Sequence, residues 1–444
     1  MWSNSSFYTS FWLFWQSCVA DKLFYSIFIE VFKEIIKMRS QINIITLLLC
    51  ITIGATAYGQ QVRQLPIKST NAIDSVILKK MNNAHLVGLG AAIIVDKKLV
   101  WSKGYGYADR ENKVPFTTST VMNIASVSKT ITGACLMKAV EQGKLSLDED
   151  INTYLPFKIH NPFFPKGKIT LRNLATHTSG LNDRFPFYTS DSLYVNGKDS
   201  QEALGDFLRN YFVPGGTHYS KENFLDHKPG AFREYSNIGT ALAGYIVEVR
   251  TGKKLNDYSK EYLFKPLKMD DTGWFLSDID LKKHARLYQK QADSSIKRIP
   301  LYGLTTYPDG GVRTSVNDLS HFFICLLNDG KFQNRQVLQE KTVREMLRFQ
   351  FDSVHKPENI EPAKLNSGIF WSTKMGGKRI GHNGSDFGVR TFMLSDLKKE
   401  VAVIMFINTS LLEKDEAKFF GIYNELYQYG VQMRNSSYTI SNGN

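Results

Sequence analysis

Two pairs of strand-like segments stand near opposite ends of this sequence, and they limit its fold more than any other feature. In the first, Gly88-Leu89-Gly90-Ala91-Ala92-Ile93-Ile94-Val95 reads as a buried strand, and Asp96-Lys97-Lys98 turns it into the alternating run Leu99 to Tyr107. In the second, Val389 to Leu394 and Val401 to Asn408 are joined by the turn Asp396 to Lys399. From about Asp150 to Asp309 strand patterns are scarce, so the middle of the chain reads as helix and loop.

Soon after the first pair comes Asn123-Ile124-Ala125-Ser126-Val127-Ser128-Lys129-Thr130, a polar turn running into a helix. Ile131, Cys135 and Ala139 recur every fourth residue, and Leu136 with Val140 widens the same apolar face. Ser126 falls at the helix start, with Lys129 three residues on, on the same side of the first turn. Unpaired N–H groups of a first helical turn favour negative charge, which helps an alkoxide form. A neighbouring unprotonated lysine can take the hydroxyl proton. The spacing alone is a weak signal. Ser294–Lys297 and Ser395–Lys398 repeat it in a polar run and a hairpin turn, and a helix cap beside a solvated lysine accounts for such a pair equally well.

Two further stretches carry chemistry. Glu234-Tyr235-Ser236-Asn237-Ile238 opens an apolar helical face through Ala241, Leu242, Tyr245, Ile246 and Val249, closed by Thr251-Gly252. A tyrosine hydroxyl can relay protons, and an asparagine amide can hold both a lysine and a substrate carbonyl. The plain alternative is an N-cap beside a packing aromatic. In Arg379-Ile380-Gly381-His382-Asn383-Gly384-Ser385, the glycines flanking His382 would let a substrate lie against backbone at a strand edge. The backbone N–H of Ser385, with that of Ser126, could hold a developing oxyanion, and one such donor is worth about 3–4 kcal/mol. His177 ends a short helix capped by Thr170 and reads first as a histidine satisfying helix-end carbonyls. Asn182 to Gly230 reads as irregular chain, either a cleft rim or lid or a surface loop.

The formal charge is +13, but Lys and Arg are spread thinly among acids with no basic run of five, so nucleic acid is not an expected partner. No His-x-x-x-His pair and no zinc-like cysteine spacing occurs, so a metal hydrolase finds little support. Cys135 and Cys325, both in helical patterns, read as buried free thiols. Met38-Arg39-Ser40-Gln41, the apolar run Ile42 to Ile53 and the small residues before Gln60 match an export signal over residues 38–59. That run is too short for a membrane span of about 20 residues, so no stable span is expected in a mature form that is periplasmic or secreted. Residues 1–37 then read as a mis-called extension with Met38 the true start, residues 60–430 as the functional domain with a mainly helical region over 150–305, and 431–444 as a polar tail.

Taken together, Ile124-Ala125-Ser126-Val127-Ser128-Lys129, Leu174-Ala175-Thr176-His177-Thr178-Ser179-Gly180-Leu181, Tyr235-Ser236-Asn237 and His382-Asn383-Gly384 carry a resemblance. From about Ile73 to Asn408 the chain resembles the serine β-lactamase and penicillin-binding hydrolase family, in its class C β-lactamase-related branch. That branch includes D-alanyl-D-alanine carboxypeptidases, D-aminopeptidases and carboxylesterases. The resemblance implies an α+β fold of the β-lactamase/transpeptidase-like kind: an antiparallel sheet from both chain ends, flanked by helices, with a mainly helical middle and the active site between. It implies an acyl-enzyme on Ser126, with Lys129 as base, Tyr235 as proton relay, Asn237 orienting Lys129 and substrate, and His382, Gly384 and Ser385 on the opposite wall. It also implies small ester, peptide or β-lactam substrates, cell-wall peptides among them, and no metal or organic cofactor. One departure matters. Class C β-lactamases carry Lys-Thr-Gly where this chain has His382-Asn383-Gly384, and histidine lacks a fixed charge at neutral pH. Ester or D-amino-acid peptide hydrolysis is therefore expected ahead of β-lactamase or penicillin-binding carboxypeptidase activity, and a silent binding relative is the non-enzyme alternative.

Overall fold

The apolar strands at the two chain ends find each other. A computed structural model describes residues 70–185, 187–190 and 193–441, so the expected extension (1–37) and export signal (38–59) lie outside the described residues. Strands β1 (Gly88–Val95), β2 (Lys98–Asp109) and β3 (Val114–Pro115) come from the first end. From the other end come β4 (Ser372–Lys374), β5 (Arg379–Asp386), β6 (Val389–Asp396) and β7 (Val401–Ile407). They form one sheet of order β4-β5-β6-β7-β1-β2-β3, antiparallel throughout. The seam between the ends runs from Leu89 opposite Ile407 to Val95 opposite Val401. The β1–β2 hairpin closes on Asp96 and Lys97 with φ of 45° and 67°, the left-handed pair a two-residue hairpin turn requires.

Period-two alternation divides β1 between two cores. Leu89, Ala91, Ile93 and Val95 face a layer made by helix α1 (Thr70–Ala84) and the final helix α7 (Glu416–Ser441), through Ile73, Ile77, Phe419, Ile422 and Leu426. Ala92 and Ile94 face the larger core, which includes α2 (Ser128–Glu141), α3 (Leu171–Thr176), α4 (Leu204–Phe212), α5 (Asn237–Thr251) and α6 (Val316–Leu327). Each Leu, Ile or Val buried this way contributes about 1.5–3 kcal/mol before chain entropy is set against it. Helix α2 is amphipathic in sequence but central in the fold. Every residue from Ser128 to Met137 is buried.

Three stretches depart from the sequence expectation. The segment read as irregular contains α4, whose Leu204, Phe207, Leu208, Tyr211 and Phe212 all enter the core. The helical middle also holds short strand pairs, Tyr194–Asn196 with Tyr302–Leu304 and Leu287–Lys290 with Ile296–Ile299. Residues 431–441, read as part of a polar tail, continue α7. Cys135 and Cys325 are buried free thiols. Among the described residues, no helix is long and apolar enough to cross a membrane.

Candidate active site

The polar turn before α2 is where the sheet and the helical region meet. Ala125, Ser126 and Val127 form a single 3₁₀ turn, and the α-helix starts only at Ser128. Ser126 thus stands two residues ahead of the α-helix, raised on a tight corner. Ala125 takes a φ of 48°, a left-handed conformation costing a non-glycine residue on the order of 1 kcal/mol or more, held here by its surroundings. Strand β5 presses on this corner. A Cβ on Gly384 would lie 2.4 Å from the Ile124 carbonyl oxygen and 2.3 Å from Thr391 Oγ1, so only glycine fits. Thr391 Oγ1 donates to that same Ile124 carbonyl at 2.9 Å, tying sheet to turn.

Lys129 is fully buried, with three oxygens around its amine. Its Nζ is 2.6 Å from Asn237 Oδ1, 2.8 Å from the Asp309 carbonyl oxygen and 3.2 Å from Ser126 Oγ. Two N–H bonds to Asn237 and Asp309 leave the third tetrahedral direction pointing at the serine hydroxyl. A neutral amine in that position accepts the Oγ proton; a protonated one donates to Oγ. Tyr235 sits beside the pair, its ring centroid 5.1 Å from Nζ, and its hydroxyl makes no hydrogen bond to the described residues.

Why Tyr235 and Asn237 stand there is visible in the chain behind them. Ser236, not Asn237, is the N-cap of α5, its hydroxyl accepting from the Gly239 N–H at 3.0 Å. That frees the Asn237 side chain for Lys129. Three successive N–H groups are then taken by one distant segment: Ser236 by His177 Nδ1 at 3.2 Å, Asn237 by Asp183 Oδ2 at 2.8 Å, and Ile238 by Asp183 Oδ1 at 2.9 Å. The Glu234 N–H also donates to the His177 carbonyl, and the His177 ring packs on Tyr235 with centroids 4.5 Å apart. His177 therefore does not satisfy helix-end carbonyls with its side chain as expected. It is the left-handed cap of α3, and its ring accepts a proton at Nδ1, which places the ring hydrogen on Nε2. Burial, with Arg233 and Lys129 near, holds it neutral, well below the ordinary imidazole range. Burial raises the Asp183 carboxyl to about 6, against the opposing pull of the Asn237 and Ile238 N–H groups.

On the other side, β5 loses its β4 neighbour past Gly381, the last β5 residue paired with β4. His382, Asn383 and Ser385 line the open stretch. The His382 Nδ1 is 2.7 Å from the Asn383 carbonyl, so the proton sits on Nδ1 and the Nε2 lone pair is free. Burial, with Lys374 and Lys129 close by, keeps this ring neutral too. The His382 position itself thus carries no fixed positive charge.

These groups enclose one cavity of about 550 Å³, lined by Ser126, Tyr235, Asn237, His382, Asn383 and Ser385 and rimmed by Phe185, Tyr188, Tyr194 and Phe387. Lys129 reaches Ser126 from below, and Gly384 backs the serine turn without lining the space. The rim comes largely from the irregular segment, matching the rim alternative read from sequence. Four contributors were not singled out in sequence: Asp183, the Asp309 carbonyl, Tyr188 and Lys374. Tyr188 donates a short hydrogen bond to the buried Asp309 carboxylate and so braces the loop whose carbonyl holds Lys129. Only Asp183 left a trace, as a lone acid two residues past the Ser179-Gly180-Leu181 run.

The Beta-lactamase family model matches residues 73–421. Protein flp of Staphylococcus aureus (strain MW2) is 26% identical over 340 residues, covering 77% of this chain and 63% of its own length. The chain thus spans less than two thirds of that relative. A penicillin binding protein from Bacillus halodurans superimposes with a TM-score of 0.61 at 24% identity, over 78% of this chain and 98% of that one. The D-amino acid amidase of Ochrobactrum anthropi SV3 does so with a TM-score of 0.63 at 21% identity, over 82% and 99%. At those identities the two structures speak for the fold, and the family match speaks for the chain: it is a member of the Beta-lactamase family.

Proposed function

We propose that this chain is a serine hydrolase that opens ester or amide bonds, including D-amino-acid peptide bonds, through an acyl-enzyme on Ser126. The observation that carries the reading is the approach of the Lys129 amine to within 3.2 Å of the Ser126 hydroxyl, at the floor of a cavity that Tyr235, Asn237 and His382 share. In the first half-reaction Ser126 Oγ attacks the substrate carbonyl carbon and its proton passes to Lys129 Nζ. The oxyanion is held by the N–H groups of Ser126 and Ser385. When the tetrahedral adduct collapses, the carbonyl–leaving-group bond breaks and the proton moves from Lys129 through Tyr235 to the departing alcohol or amine. In the second half-reaction water attacks the acyl-enzyme, gives its proton to the same relay, and releases the acid and a restored Ser126 hydroxyl. The balance is one water consumed per bond opened.

The neutral His382 supports ester or peptide substrates ahead of β-lactams, because it stands at the position where the class C enzymes carry their lysine. We further propose export to the periplasm or medium on the strength of residues 38–59, which N-terminal sequencing of the mature protein would check. The test of the reaction is wild type against Ser126→Ala with a fluorophosphonate probe, short p-nitrophenyl esters, nitrocefin and a D-Ala-D-Ala peptide. Probe labelling and turnover of at least one ester or peptide are expected in wild type and absent from the variant. Activity that survives in Ser126→Ala removes Ser126 from the mechanism.

A further inference from the structure

The ionisable side chains lining the cavity are nearly all committed to partners. Lys290 pairs with Asp415 at 2.6 Å, with both groups buried. Asp309 accepts the Tyr188 hydroxyl, and Asp386 accepts the Phe387 N–H at 2.8 Å. Lys374, at the end of β4, is the exception. It lines the cavity, yet among the described residues its amine has no hydrogen bond and no ion pair. The basic groups that bear on it are the Arg233 guanidinium and the Lys129 amine. Arg233 is itself half-buried; among the described residues it forms no ion pair, the exposed Glu234 next to it in the chain acts on it only through space, and its Nε is buried without an acceptor. Two cations thus share one corner beside Tyr235 and His382, and neither forms an ion pair among the described residues.

A partly buried positive charge with no counter-ion is costly, and a second cation beside it raises the cost. A bound anion removes both penalties at once, through a charge-assisted hydrogen bond in a low-dielectric site. Burial and the neighbouring Arg233 and Lys129 bring the Lys374 amine down to about 8, which leaves it mostly protonated at neutral pH and ready to meet an anion.

We infer that Lys374, backed by Arg233, forms an anion subsite in the cavity, and that the preferred acyl substrates carry a carboxylate placed there. The inference rests on the acyl-transfer reading above and adds to it the charge of the substrate and the residue that selects it. His382, neutral and offering a lone pair, cannot do this. The selecting charge sits one strand further out, on β4 instead of β5.

The test is a matched pair of substrates: the mono-p-nitrophenyl ester of glutaric acid, with a free carboxylate, and the same compound with that carboxylate methylated. Wild type, Lys374→Met, Lys374→Gln and Lys374→Arg are compared at neutral pH and low salt, with thermal melts to verify folding. Wild type is expected to favour the carboxylate substrate by about tenfold or more in kcat/KM, equivalent to about 1.4 kcal/mol. That ratio should collapse toward one in Lys374→Met and Lys374→Gln and survive in Lys374→Arg, and added salt should erode it. A ratio that is unchanged in both neutral variants overturns the inference, since a merely solvated lysine predicts that result. Turnover of both esters without preference in wild type overturns it too, while leaving acyl transfer intact. If neither ester is turned over, titration calorimetry of monomethyl glutarate into the Ser126→Ala protein decides separately: binding abolished by Lys374→Met keeps the subsite and sinks the reaction, and no binding sinks the subsite.

Discussion

On the helical side of the cavity, the Lys129 amine has three oxygens within 3.2 Å, and the turn that carries Tyr235 and Asn237 has three successive N–H groups bound by His177 and Asp183. On the strand side, the His382 ring keeps one open lone pair and the Lys374 amine has no partner among the described residues. Polar groups on the first side are satisfied inside the protein, so their positions are fixed before substrate arrives. Such preorganisation is what a reacting centre needs, because little reorganisation is left for the transition state. Groups on the second side keep unused hydrogen-bonding capacity, which is what recognition needs. On the proposed reading, chemistry and selection fall to different walls.

Breaking the first wall should cost most. Ser126→Ala is expected to lower kcat by about 10⁴-fold or more, read by steady-state ester turnover and loss of probe labelling. Tyr235→Phe removes the relay while keeping the ring against His177, and at least a hundredfold loss of kcat is expected within the roughly 10²–10⁴ span of acid–base groups. Near-normal rates there would refute the relay.

Asp183 sharpens the comparison by acting from behind. With its carboxyl at about 6 in the folded protein and near 3.9 when unfolded, the native state takes up its proton first as pH falls. Between those two values the native state binds more protons than the unfolded one, so this group's own contribution to stability grows on acidification. Its grip on the Asn237 and Ile238 N–H groups weakens over the same interval. Activity should therefore fall through about pH 6 while the melting temperature does not follow, as parallel kcat/KM and thermal-melt profiles would show. Asp183→Asn should flatten that acid limb and lower kcat by roughly 10–100-fold, with about 1–3 kcal/mol lost from the one backbone N–H that meets the new NH2 group and has no acceptor. A retained acid limb in the variant assigns the titration elsewhere.

On the second wall effects should be smaller and fall on substrate preference. His382→Gln keeps a neutral polar side chain, and a loss of about tenfold or less in kcat/KM is expected, near the worth of one hydrogen bond of about 1 kcal/mol. A loss as large as that of Tyr235→Phe would mean the imidazole takes part in proton transfer and would erase the distinction between the walls.

The sequence displayed the parts of this design that depend on neighbours along the chain. Strands β1, β2, β6 and β7 announce themselves by apolar runs and turns, and the helices after Ser126 and Ser236 by periodicity with polar starts. Helix α4 was equally legible from Leu204, Phe207, Leu208, Tyr211 and Phe212, whose spacing is that of a helix face, but the surrounding polar and aromatic residues drew attention away from it. What could not be read locally is whatever depends on who arrives from afar. Asp183 is an ordinary acid until α5 presents its N–H groups, the Asp309 carbonyl is one of hundreds, and nothing in Ser372-Thr373-Lys374 distinguishes this lysine from the many on the surface. The role of His177 was missed for the same reason: its partner lies in a different helix turn.

The hydrogen bond from Thr391 to the Ile124 carbonyl, and the bare Cα of Gly384 against the same corner, join residues made early in synthesis to residues made late. A growing chain can complete the helices around Lys129 and Asn237 well before β5 exists. Until β5 docks, Ser126 has no opposite wall, and the second oxyanion donor proposed for it, the Ser385 N–H, is not in place. A polypeptide cut short between Asp309 and Arg379 would keep every residue of the first wall and still lack a cleft, so on the proposed reading the emergence of the C-terminal strands is the step that arms the serine.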